Sequence, residues 1–106
     1  MSATQITIDR MSPEDVQNRQ IYVKLDGTPI ATLLFGRSVT KELEPGPHTL
    51  MADNTWKKKT LEFTAEPGEQ LHFRVVSRPG AGYTFLVGLF GAAPINVAIE
   101  RIGSGT

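Results

Sequence analysis

Cysteine is absent from the 106-residue chain, so it has no disulfide, no thiolate nucleophile and no Cys-based zinc site, and its redox compartment stays open. An excess of charge of either sign is also missing. Eleven basic residues face eleven acidic ones, which removes the long-range attraction that would draw the chain to nucleic acid or an anionic membrane. Histidine and tryptophan are scarce, with two and one respectively. His48 and His72 are therefore the side chains with ordinary pKa values near neutrality, and no HxH or HExxH spacing surrounds them. No serine sits in a GxSxG elbow. Gly80-Ala81-Gly82 lacks the full GxGxxG spacing and a βαβ setting, and reads as a connector. These absences lead to an expectation of no enzyme activity, no cofactor and no metal.

The first residues, Met1-Ser2-Ala3-Thr4-Gln5, lack the basic patch and continuous apolar core of a signal peptide, and Asp9 and Arg10 arrive early. The cytoplasm is the default expectation, or the cell envelope if a precursor were processed.

What the chain does have is alternation. Ile6 and Ile8 alternate with polar neighbours, and so do Ile21, Val23 and Leu25, then His48, Leu50 and Ala52, then Leu61, Phe63 and Ala65, then Leu71, Phe73 and Val75. A period of two is the signature of a half-buried strand. Asp26-Gly27 is a turn signal, and Pro29 places the next strand, about residues 30 to 35, at a sheet edge or makes it begin there. Ser12-Pro13-Glu14-Asp15 reads as one helical turn near residues 13 to 17. Glu44-Pro45-Gly46 and Glu66-Pro67-Gly68 each separate two alternating runs and read as the turns of two hairpins. Pro47 biases Gly46 toward extended conformations, so the first turn is expected to depart from type II geometry. Ile95 to Ile102 reads as a closing strand with Ile95, Val97 and Ile99 inward. Turn signals at this spacing predict one all-β domain over residues 1–106, a sandwich of seven to eight mostly antiparallel strands.

From Pro79 to Ile99 no residue is charged. Six glycines and prolines break the run into pieces too short to span a bilayer as one helix. Tyr83 to Phe90 reads as an apolar strand or short helix and Gly91 to Pro94 as a turn. Tyr83, Phe85, Leu86, Leu89 and Phe90 either fill the core or form an interface, including one with a second copy of the chain. Trp56 followed by Lys57, Lys58 and Lys59 is the one aromatic-plus-basic cluster; it caps the core beside a solvated edge or offers a stacking surface to a small ligand.

The stretches Ile21 to Ile30, Leu43 to Leu50 (with Pro45-Gly46-Pro47-His48) and Phe63 to Glu69 resemble the PEGA domain group and related bacterial β-sandwich domains over about residues 20 to 77. That resemblance implies an immunoglobulin-like or prealbumin-like sandwich and a noncatalytic module, often of the cell envelope. The combined expectation is a binding or structural module acting on protein, with a glycan- or lipid-binding module using Trp56 or residues 83 to 90 as the alternative.

Overall fold

In the computed structural model, residues 3–15, 20–55, 57–79, 89 and 95–105 are described. Eight strands run in chain order as β1 (Gln5–Asp9), β2 (Ile21–Leu25), β3 (Thr28–Leu33), β4 (Ser38–Glu42), β5 (Gly46–Asp53), β6 (Lys58–Ala65), β7 (Gln70–Pro79) and β8 (Ile95–Gly105). They form two four-stranded sheets, β4-β1-β7-β8 (sheet A) and β3-β2-β5-β6 (sheet B). All pairs are antiparallel except β1 with β7, which run parallel with Ile6 beside Leu71 and Ile8 beside Phe73.

The alternation read from the sequence is what builds the core. Ile6, Ile8, Ile21, Val23, Leu50, Ala52, Phe63, Ala65, Leu71, Phe73, Val75 and Val97 are buried between the sheets, with Leu25, Leu61 and Ile99 packed partly against them. A period of two puts these residues on one face of each strand, and burying that face twice over is the sandwich. The predicted sandwich is present. Its strand partition differs from an immunoglobulin constant domain, where the first, second, fourth and fifth strands share a sheet. Here the first and fourth lie in sheet A and the second and fifth in sheet B.

Asp26-Gly27 closes the β2–β3 hairpin with positive φ at both residues, 52° and 82°, the type I′ geometry whose twist suits adjacent strands. β3 carries Pro29 and is an edge strand, as the missing N–H required. The two Glu-Pro-Gly segments correct the sequence reading. Neither is a hairpin: β4 pairs with β1 and not with β5, and β6 pairs with β5 and not with β7. Each segment carries the chain from one sheet to the other. At the second, the Glu69 amide donates to the Glu66 carbonyl and Gly68 has φ 77°, so the turn is type II, as Pro-Gly favours. At the first, Gly46 is already the first residue of β5. A Pro-Gly turn reverses the chain direction but does not choose the partner strand, and both reversals here close across the core.

The expected helical turn after Ser12 falls partly outside the described residues. Within them, the Asp15 amide donates to the Ser12 carbonyl and the Glu14 amide to Ser12 Oγ, which is a tight turn. The predicted elements at Tyr83 to Phe90 and Gly91 to Pro94 lie outside the described residues except for Leu89. The closing strand is present and longer than expected, ending at Gly105.

The connections sort to two poles. Asp26-Gly27, both Glu-Pro-Gly crossings, Gln5 and Gly105 occupy one pole, which we call the near pole; Gln5 and Gly105 both pair with Gln70. At the far pole lie Arg10 to Asp15, the 34–37 turn, the 54–57 loop and the paired ends of β7 and β8.

Candidate functional site

Among the described residues, the two histidines and the buried Arg10–Asp15 pair mark three clusters. At the near pole, His48 on β5 has both ring nitrogens against oxygen acceptors: Nδ1 lies 2.6 Å from Asp26 Oδ2 and Nε2 lies 2.5 Å from the Glu44 carbonyl. Asp26 Oδ1 also accepts from the Thr49 amide at 2.8 Å. The imidazole stacks on Phe63 at 5.7 Å, and Phe63 meets Phe73 at 5.2 Å. Burial favours the neutral ring, but the bonds to Asp26 and the Glu44 carbonyl, with the charges of Asp26 and Glu44, outweigh it and raise the pKa of His48 above its ordinary value. The bond from His48, helped by the Thr49 amide, lowers that of Asp26. Strand order decides which carboxylates reach the two histidines, and those that do are Asp26 and Asp9. Glu69 instead accepts from Arg101 and caps the Glu66 amide.

On the outer face of sheet A, the register that sets Asp9 beside Arg74 gathers a second cluster. Asp9 Oδ2 meets His72 Nε2 at 2.5 Å, and Asp9 Oδ1 accepts from Arg74 Nε at 2.7 Å. The Asp9 side chain is 5 % exposed and that of His72 36 %, so the carboxylate is enclosed beneath its two partners. Burial pushes the Asp9 carboxyl up; the bonds and charges of Arg74 and His72 outweigh it and hold the pKa below the usual value.

At the far pole, Arg10 and Asp15 form a fully buried ion pair. Arg10 Nε donates to Asp15 Oδ2 at 2.9 Å, Nη2 to Asp15 Oδ1 at 3.1 Å and Nη1 to the Leu33 carbonyl at 2.9 Å. Asp15 Oδ2 also accepts from the Ser77 amide on β7. Backbone bonds between Arg10 and residues 36 and 37 lay the 34–37 turn alongside Arg10-Met11. The pair thus fastens two far-pole connections to both sheets. Those connections present apolar side chains to solvent: Met11, Leu34 and Phe35 are 46 %, 57 % and 38 % exposed.

Of the residues the sequence offered for an interaction surface, Lys57 and Lys58 are exposed at the far pole where β6 begins, and Leu89, left open between core and interface, is exposed. Trp56, Tyr83, Phe85, Leu86 and Phe90 lie outside the described residues. Met11, Leu34 and Phe35 were not singled out by sequence reasoning, although a signal existed. Three consecutive apolar residues, Leu33-Leu34-Phe35, cannot all face one side of a strand, so at least one must point outward. Among the described residues no group of three or more His, Asp or Glu side chains is placed to hold a metal, and no helix is long and apolar enough to cross a membrane.

No protein-family model, curated protein or solved structure matches the chain.

Proposed function

We propose that this chain is a noncatalytic sandwich module that binds protein through its far pole. The observation that carries the reading is the exposure of Met11, Leu34 and Phe35 on connections fastened by the buried Arg10–Asp15 pair. Exposed apolar side chains gathered at one pole favour a protein partner, and a backing fastened in place lowers the entropy lost on binding. Sites on sandwich folds commonly sit on such end loops.

The histidine geometry supports a noncatalytic role. His48 commits both ring nitrogens to structural acceptors, and His72 is tied to a carboxylate that Arg74 also holds. The resemblance to PEGA-like domains over about residues 20 to 77 points the same way, toward a bacterial module associated with the cell envelope. Of the two sandwich types that resemblance implies, the strand partition favours the prealbumin-like one.

A glycan or lipid reading has one observation behind it. An open hollow of about 380 Å³ lies beside the β2–β3 edge, lined by Tyr22, Lys24, Pro29, Ala31, Thr32 and Asp53, a volume within the range of ligand sites. It has a single aromatic wall, which is little for stacking a sugar.

The test is a photo-cross-linking amino acid placed at Phe35, and separately at Thr64 near the opposite pole, in cells expressing the chain. A discrete adduct from position 35 and none from 64, abolished by Leu34→Asp with the fold intact by circular dichroism, is the expected result. Equal labelling from both positions, or an adduct that survives Leu34→Asp, overturns the reading.

A further inference from the structure

We propose that His48 is the doubly protonated clasp of a pH-sensitive latch, which ties the β2–β3 turn to the first crossing between the sheets and opens as the pH rises. The argument starts from hydrogen-bond inventory. A neutral imidazole has one donor and one acceptor nitrogen, whereas the imidazolium has two donors. Both nitrogens of His48 face oxygens that can only accept, the Asp26 carboxylate at 2.6 Å and the Glu44 carbonyl at 2.5 Å. The imidazolium therefore satisfies both contacts, and the neutral ring can satisfy just one.

The acceptors belong to different elements. Asp26 is the first central residue of the type I′ turn, and Glu44 lies in the connection that takes the chain from sheet A to sheet B. Losing one donor releases either the turn or the crossing. The turn keeps its backbone anchor, because the Asp26 amide donates to the Thr49 carbonyl and Asp26 Oδ1 accepts from the Thr49 amide. The crossing, whose Leu43 amide donates to the Thr4 carbonyl, is the part expected to loosen at Glu44 to Gly46.

The charged surroundings favour the proton. Asp26 comes from the turn and Glu44 from the crossing, and Glu62 from β6 borders the same hollow beside Thr49 and Phe63. Behind Phe63, β7 contributes the Phe73 ring and β8 contributes Arg101, which sits over Phe73 at 5.8 Å and is bonded to Glu69. The one cation in that set is thus two rings away and engaged with a carboxylate. The raised pKa of His48 agrees with this geometry.

The sign follows from linkage. A histidine with a raised folded-state pKa stabilises the fold fully below its unfolded value, and that contribution is lost as the pH rises through the folded value. The latch is closed in mild acid and opens on the alkaline side.

Nitrogen-detected NMR of the histidine rings across pH 5 to 9, with amide shifts followed in parallel, tests this. The expected record has both His48 ring nitrogens protonated at the acid end, a midpoint above the free-histidine value, and the Glu44 and Gly46 amides shifting with that same midpoint. Asp26→Asn should move the midpoint down, and His48→Gln should abolish the amide transition. A single neutral tautomer at pH 6, or Glu44 and Gly46 amides that stay still while His48 titrates, overturns the proposal. The readout is independent of far-pole binding.

Discussion

Replacing Asp15 with Asn keeps the shape of the side chain but removes its charge, and leaves the Arg10 guanidinium, 1 % exposed, without its carboxylate. Removing one partner of a buried ion pair costs about 3–5 kcal/mol, because the remaining charge is stranded in a poorly solvating interior. A domain of this size has roughly 5–15 kcal/mol in total, so the loss is a large share. With a urea dependence of about 1–3 kcal/mol per molar, the unfolding midpoint should fall by at least about 1 M. The structure supplies an internal control in Arg78–Glu14, whose side chains are 42 % and 66 % exposed at 3.3 Å; Glu14→Gln should cost under about 1 kcal/mol. Urea titrations of Asp15→Asn, Arg10→Gln and the double variant complete the cycle. The double should be milder than the sum of the singles by about 2 kcal/mol, since residues in contact couple at this scale and the second substitution removes the stranded charge. Additive singles, or an Asp15→Asn loss no larger than the Glu14→Gln control, would refute the claim that this pair fastens the far pole.

Phe63 lies between the His48 ring and Phe73 and is 9 % exposed, so Phe63→Ala should cost about 3–5 kcal/mol in urea unfolding; a loss below about 1 kcal/mol would contradict the stacked arrangement. Asp9, held below its usual pKa by Arg74 and His72 against the opposing effect of burial, contributes stability that is present above its unfolded value and is lost as the pH falls through the depressed folded one. Thermal melts of Asp9→Asn between about pH 2 and 5 should show a flatter acid limb than the parent chain and a lower midpoint near neutrality; an unchanged acid limb would contradict the assignment.

The strand faces were legible because period two is a local property. Ile21, Val23, Leu50, Phe63, Leu71 and Phe73 face inward in the structure as they do in the alternation. Partner choice was not legible. Nothing local in Ser38 to Glu42 distinguishes pairing with β1 from pairing with β5, and the outcome depends on the parallel contact between β1 and β7, some sixty-five positions apart in register. The buried charges were equally hidden. Arg10 and Asp15 look like the solvated flank of a helix start, and only the folded arrangement brings the Leu33 carbonyl and the Ser77 amide to them. At the candidate site, Lys57 and Lys58 are exposed and so is Leu89, which the sequence left open between core and interface, whereas Met11, Leu34 and Phe35 emerged only from exposure. Their position beside Arg10 depends on backbone bonds between segments more than twenty residues apart.

The shared partner of Gln5 and Gly105 sets where the module can be tethered. Both strands reach the same row of sheet A through Gln70, so a polypeptide joined before β1 or after β8 arrives at the same end of the sandwich. Met11, Leu34 and Phe35 then project from the opposite end, one full strand length away. A tag, a linker or a neighbouring domain attached on either side would hold the sandwich like a handle and leave its exposed apolar tip facing outward.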